Sequence, residues 1–266
     1  MLHQRLTSAF LGIILLFTVL LSEKIVLVAA IFIVTLLIIL ELYKAFNLLK
    51  KKELVALGAL PTIFVFIDIW IDSIAILVFL YILTAFLVLI FRHNKISFFD
   101  LSVALCITFF VTFFMRHVAL VRMQENGRVL IWAVFIGAWI TDTFAYFTGT
   151  WFGKHKLLPE ISPKKTVEGA IGGVLGCVFA FFVYGLIISN IFHHEISFPS
   201  LMTLGFFCSL VAQLGDLAAS SIKRECQIKD FGSIMPGHGG VLDRFDSILF
   251  VAPLVYYYIN IFTIIK

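Results

Sequence analysis

Apolar runs of roughly 17 to 25 residues recur from one end of this chain to the other, the length that crosses a bilayer as a helix. Inside lipid, a spanning segment has to satisfy its own backbone hydrogen bonds. Repeated runs therefore imply an all-α, polytopic integral membrane helical bundle. The period-2 alternation of a membrane barrel is absent from the sequence. The pattern predicts about nine transmembrane helices, over 7–22, 25–43, 54–71, 73–91, 98–121, 129–149, 167–190, 198–222 and 247–264. It reads as a single transmembrane domain over 1–266, with N-terminal spans in 1–125 and catalytic helices and cytoplasmic loops in 126–266. The N-terminal stretch has a basic start but lacks a small-x-small cleavage site, and a second apolar run follows at once. It reads as a retained span.

Charge sets the orientation, because Lys and Arg accumulate on the cytoplasmic side. With nine spans and the N-terminus inside, fifteen of the twenty Lys and Arg residues fall in inner segments. The two largest polar segments, about 150–166 and 223–246, then share the cytoplasmic face, where basic residues suit anionic headgroups. Cys106, Cys177, Cys208 and Cys226 form no CxxC pair and read as apolar thiols.

Ionisable residues inside spans are costly, by about 2.5–3.5 kcal/mol on insertion scales, and mark function. Asp142 interrupts "FIGAWITDTFAYFTGTWFG" and shares a helix face with Tyr146 and Gly149. In "LVAQLGDLAASSIKRE", Asp216, Ser220 and Lys223 form one stripe leading to the inner surface. Glu41 and Lys44, near the inner end of the second span, read as a local interfacial pair.

The stripe points into "KDFGSIMPGHGGVLDRFDS", Lys229 to Ser247. Glycines allow backbone N–H groups to approach phosphate closely, and His238 adds a donor among them. Asp243 and Asp246 stand three apart, on one face of a helix that begins nearby. Paired carboxylates beside phosphate-binding groups suit Mg²⁺, a hard cation that shares oxygen ligands with substrate phosphates. The segment therefore reads as a site for a phosphorylated, metal-bound substrate at the membrane surface.

"SSIKRECQIKDFGSIMPGHGGVLDRFDS", Ser220 to Ser247, closely resembles the signature of the phosphatidate cytidylyltransferases, or CDP-diacylglycerol synthases. The matching positions are Ser220, Lys223, Arg224, Lys229, Asp230, Gly232, Pro236, His238, Gly239, Gly240, Asp243, Arg244 and Asp246. "ITDTFAYFTGTWFGKHKL" and "ISPKKTVEGAIGG" resemble the family's preceding blocks, so the resemblance covers about residues 130–265. Met235 stands where Leu, Ile or Phe is expected, and Cys226-Gln227 where many members carry a glycine.

The resemblance implies transfer of the cytidylyl group of CTP to phosphatidate, giving CDP-diacylglycerol and pyrophosphate for phospholipid biosynthesis. It implies Asp216, Asp243 and Asp246 as Mg²⁺ ligands, and these three with Lys223 as catalytic. Asp142 and Glu168 would stand behind them, Glu168 orienting a lysine or serving only as a first-turn charge. Ser220, Arg224, Lys229, His238, Gly239, Gly240 and Arg244 would bind triphosphate or lipid phosphate. Lys164 and Lys165 of "SPKK" would clamp the second anion. The partners expected are CTP, phosphatidate and bilayer lipid, with no nucleic acid and with a homodimer as a candidate assembly. The expected location is a bacterial inner membrane, with the active site facing the cytoplasm in a cavity lined by spans six, eight and nine.

Two other classes share some of these features. A CTP-dependent kinase of a membrane lipid alcohol would use similar CTP and metal sites but transfer the γ-phosphoryl group. A transporter would also carry intramembrane aspartates, but with inverted repeats and broken spans. The DGxxAR motif of the CDP-alcohol phosphotransferases is absent from the sequence.

Overall fold

A computed structural model of the protein describes residues 12, 14–71, 74–233 and 239–265. Nearly all of it is helical. Helix α1 is described over residues 14–21. It is followed by α2 (Lys24–Ala45), α3 (Lys52–Ile71), α4 (Ile74–Phe91), α5 (Phe98–Met123), α6 (Gly127–Phe152), α7 (Val167–Phe192), α8 (Phe198–Glu225) and α9 (Leu242–Ile261). These helices coincide closely with the apolar runs. Among the described residues, five of them (α2, α5, α6, α7 and α8) are long and apolar enough to cross a membrane. Large apolar side chains such as Phe79, Ile90, Leu175 and Phe179 lie exposed on helix surfaces. Such a surface suits lipid rather than water.

Several breaks between helices fall on residues with left-handed backbone: Asn47, Asn126, His193 and Gln227, with φ of 59°, 56°, 54° and 55°. Asparagine tolerates this region better than most side chains. Gln227 follows the α8 C-cap, Cys226, where glycine is the usual choice.

One feature departs from the all-helical expectation. The segment after α6 forms an antiparallel hairpin, β1 (Lys156–Leu158) with β2 (Ser162–Thr166), so "SPKK" lies on a strand. Pro163 cannot donate to a ladder, and a two-stranded ribbon leaves it an outer edge. Thr166 then caps α7 by accepting the Gly169 N–H at 3.1 Å.

The chain divides into two compact units. One comprises residues up to Leu120 together with Ile228–Asp243; the other comprises Val121–Gln227 with Arg244–Lys266. The polar loop before α9 therefore groups with the N-terminal helices.

In the first unit, α2 packs on α3 and α3 on α4. Polar ties within the apolar interior join these helices to α5. The hydroxyls of Tyr43 and Thr108 lie 2.8 Å apart, and those of Thr62 and Thr112 3.1 Å apart. In the second unit, α6, α7 and α8 pack on one another, and the hairpin rests against α6 and α7. Small residues bring α6 and α7 close, as membrane helices without a hydrophobic driving force require. A Cβ on Gly169 would meet the Ala145 carbonyl oxygen at 2.7 Å, and one on Gly173 would meet the Thr141 carbonyl oxygen at 3.1 Å.

Candidate functional site

The second unit contains a cavity of about 450 Å³ at its hairpin end. Helix α6 lines it with Asp142, Tyr146 and Gly149, the face expected from their spacing. The hairpin adds Lys156, Lys164 and Lys165, while α8 adds Gln213 and Asp216. Gly169 and Ala170 of α7 complete the wall, where α9 had been expected. The close α6–α7 approach explains the difference, since it brings the first turn of α7 to the mouth of the site.

Opposite charges meet inside. Lys165 Nζ lies 2.6 Å from Asp216 Oδ2, and each side chain is about a quarter exposed. One helical turn on, the Ser220 hydroxyl reaches Asp216 Oδ1 only at 3.5 Å, a long contact. The Ser247 hydroxyl donates to Asp142 Oδ2 at 3.2 Å, and the Ser247 N–H donates to Asp246 Oδ1 at 2.8 Å. Asp246 lies within electrostatic reach of Asp216, Asp142 and Lys223. Three carboxylates from α6, α8 and α9 thus gather with Lys165 and Lys223, and Asp142 stands among them rather than behind them.

Their oxygen donors are of the kind a hard divalent cation takes. Among the described residues, no three His, Cys, Asp or Glu side chains close into a ready ligand cage. The Lys165 ammonium provides the positive charge beside Asp216.

The hairpin is tied down at both ends. Glu168 accepts the backbone N–H of Lys154 at 3.1 Å and that of His155 at 3.2 Å, and its Oε1 lies 2.7 Å from His155 Nδ1. Glu168 thus orients the hairpin backbone and a histidine, not a lysine side chain. Arg224, expected to bind phosphate, directs its Nε to the Ile161 carbonyl at 3.2 Å and joins the end of α8 to the hairpin turn.

The glycine-rich loop has its own organisation in the first unit. Asp243 Oδ2 accepts the backbone N–H of both Phe231 and Gly240 at 2.9 Å. Asp243, expected as a metal ligand, therefore closes the loop on itself, and the Gly240 N–H, expected to face a phosphate, is directed to Asp243. Gly239 has φ of 88°, which glycine alone adopts readily. Lys229 is exposed in this loop, and Arg244 is exposed on the first turn of α9. His238 and Pro236 lie outside the described residues.

Glu41 is not the partner of Lys44 that its position suggested. It is 4% exposed. Its two carboxylate oxygens accept the N–H groups of Val241 and Leu242, each at 2.8 Å. Bonds from N–H groups to a charged acceptor contribute about 1.5–3 kcal/mol each, more than a surface pair with Lys44 could. Ser247 and Gln213 were also missed. Ser247 ends the quoted motif and is 2% exposed. Gln213 stands one turn before Asp216 in an apolar span, which was a readable signal.

The model of the cytidylyltransferase family matches residues 3–262. A phosphatidate cytidylyltransferase of Bacillus subtilis (strain 168) is 37% identical over 180 residues, covering 65% of this chain and 61% of that protein. One from Thermotoga maritima is 39% identical over 157 residues, 58% of this chain and 56% of that protein. One from Staphylococcus haemolyticus (strain JCSC1435) is 38% identical over 195 residues, 70% of each chain. The first two matches thus span about six-tenths of those relatives' length.

Proposed function

This chain belongs to the cytidylyltransferase family, and on that premise we propose that it transfers the cytidylyl group of CTP to phosphatidate in the membrane. The relatives' names support this substrate pair. The observation that carries it here is the cavity in which Lys156, Lys164 and Lys165 face Asp142 and Asp216. Such a site can accept two anionic reactants and still bind metal.

In the proposed reaction a phosphate oxygen of phosphatidate attacks the α-phosphorus of CTP. A new P–O bond forms there, the bond to the β-phosphate oxygen breaks, and pyrophosphate leaves with that electron pair. The nucleophile is already an anion, so no strong base is needed. Catalysis rests on positioning and charge neutralisation. The lysines of the hairpin bring the two phosphates together. Lys223, near Asp246, adds charge at the end of α8. Asp142, Asp216 and Asp246 are the proposed holders of Mg²⁺, which when bound would neutralise phosphate charge and shield the carboxylates from one another.

We place the site on the cytoplasmic side of a bacterial inner membrane, in a bundle of about nine spans. CTP would enter from water and phosphatidate from the bilayer. A homodimer is the proposed assembly, and nucleic acid has no part in the reaction. The test supplies purified protein with Mg²⁺, phosphatidate and CTP labelled at the α-phosphorus. Label in the lipid and release of pyrophosphate are expected. Label recovered in CDP, with none in the lipid, would replace this reading with a lipid kinase.

A further inference from the structure

The carboxylate of Glu41 comes from α2, about 200 residues before the loop that it holds. Its two oxygens take the N–H groups of Val241 and Leu242, the residue just before α9 and the first residue of that helix. These N–H groups belong to a helix start and have no partner within their own helix. A negative charge there also complements the helix dipole.

The loop is shaped around this carboxylate. A Cβ on Gly240 would meet both Glu41 oxygens at 2.6 Å, and one on Gly232 would strike Glu41 Oε1. The chain is thus bare of side chains at the two places where Glu41 passes, and these glycines serve Glu41 as well as any ligand. Next along the chain, Asp243 ties Phe231 and Gly240 by accepting both of their N–H groups. Two carboxylates, Glu41 and Asp243, clamp one short segment. The residues that follow on α9 are Arg244 and Asp246.

We propose that Glu41 is a positioning residue for the reaction: it fixes the start of α9, and through that continuous helix the rotation and height of Asp246. The inference rests on the functional reading above. It differs from a purely structural role, because a helix start displaced by a fraction of its rise would leave the bundle folded and misplace the groups that act on phosphate.

Glu41→Gln tests this in the full-length protein in detergent. The amide keeps one acceptor and turns an NH₂ donor toward a backbone N–H, so one of the two bonds is lost. The expected result is a fall in kcat of about 10- to 100-fold per folded molecule, the range typical of residues that orient acting groups, with KM for CTP little changed. Hydrogen exchange at the amides of Val241 and Leu242 should speed up in parallel. Tyr43→Phe loosens the packing of α2 on α5 two residues away and serves as the control. It should lower thermal stability while leaving kcat per folded molecule and exchange at 241–242 unchanged.

Unchanged kcat in Glu41→Gln would overturn the proposal, as would a loss of stability without a change in kcat per folded molecule. If Glu41→Gln does not fold, Glu41→Asp, one methylene short of both N–H groups, carries the same comparison. If the wild-type protein forms no CDP-diacylglycerol, the functional reading fails. The exchange measurement then still decides whether Glu41 holds the start of α9.

Discussion

Lys165 of the hairpin lies 2.6 Å from Asp216 of α8. The pair joins a strand residue to a membrane-helix carboxylate at the edge of the cavity, and it sets the charge of the site before any ligand arrives. An ammonium beside the carboxylate moderates repulsion among Asp142, Asp216 and Asp246. In the proposed reaction Lys165 exchanges that partner for a phosphate.

Lys165→Gln should therefore reduce cytidylyl transfer about 10- to 100-fold. Lys165→Arg should recover part of the loss, since it keeps the charge but changes the shape of the donor. Steady-state kinetics with varied CTP and phosphatidate check this. Activity of Lys165→Gln within a factor of about two of wild type, well under the 1.4 kcal/mol that a tenfold change represents, would show the pair to be only a fastening.

Asp243 and Asp246 should separate experimentally, although both sit at the start of α9. Asp243→Ala removes the acceptor of two loop N–H groups. It should cost about 1–3 kcal/mol of stability as well as activity. Asp246→Asn keeps its size and should abolish turnover with little loss of stability. Thermal unfolding in detergent, run beside the transfer assay, distinguishes the two. Equal melting shifts for both variants would contradict the assignment.

Gly169→Ala tests the close approach of α6 and α7. The added methyl meets the Ala145 carbonyl oxygen at 2.7 Å and the Thr166 hydroxyl at 3.0 Å. Forcing it in should cost about 1–3 kcal/mol and shift the hairpin that α7 supports. A melting temperature equal to wild type would mean that these helices can part without penalty.

Gln227→Gly should have the opposite sign. Gln227 holds φ of 55° after the end of α8, a conformation glycine adopts without a Cβ clash. Relief of that strain, less the greater entropy loss of glycine, should stabilise the protein by about 1 kcal/mol. Denaturant titration in mild detergent gives the comparison, and a destabilised variant would refute it.

Orientation has a separate test. In a protein with Cys106, Cys177, Cys208 and Cys226 replaced, Lys156→Cys should resist an impermeant thiol reagent in intact cells and react once the cells are broken. Labelling from outside would reverse the proposed topology.

The apolar runs determined where the helices lie, because a lipid-facing helix needs only local composition and length. The runs placed α2 to α8 within a few residues of their observed bounds, and the concentration of Lys, Asp and Gly marked the polar segments. The spacing of Asp142, Tyr146 and Gly149 also foretold the α6 face that lines the cavity. The tertiary structure alone decided which partner each polar group takes. Glu41 meets Val241 across 200 positions, and Asp142 meets Ser247 across 105. No local period carries such a pairing. Asp243 looked like a metal ligand by its spacing from Asp246, yet its Oδ2 turns to Phe231 and Gly240. Glu41 looked like half of an interfacial pair, yet it caps a distant helix. Where a carboxylate ends up depends on which N–H groups or cations the packed helices bring to it, because burial makes an unmet charge too costly to leave and leaves open which partner will meet it.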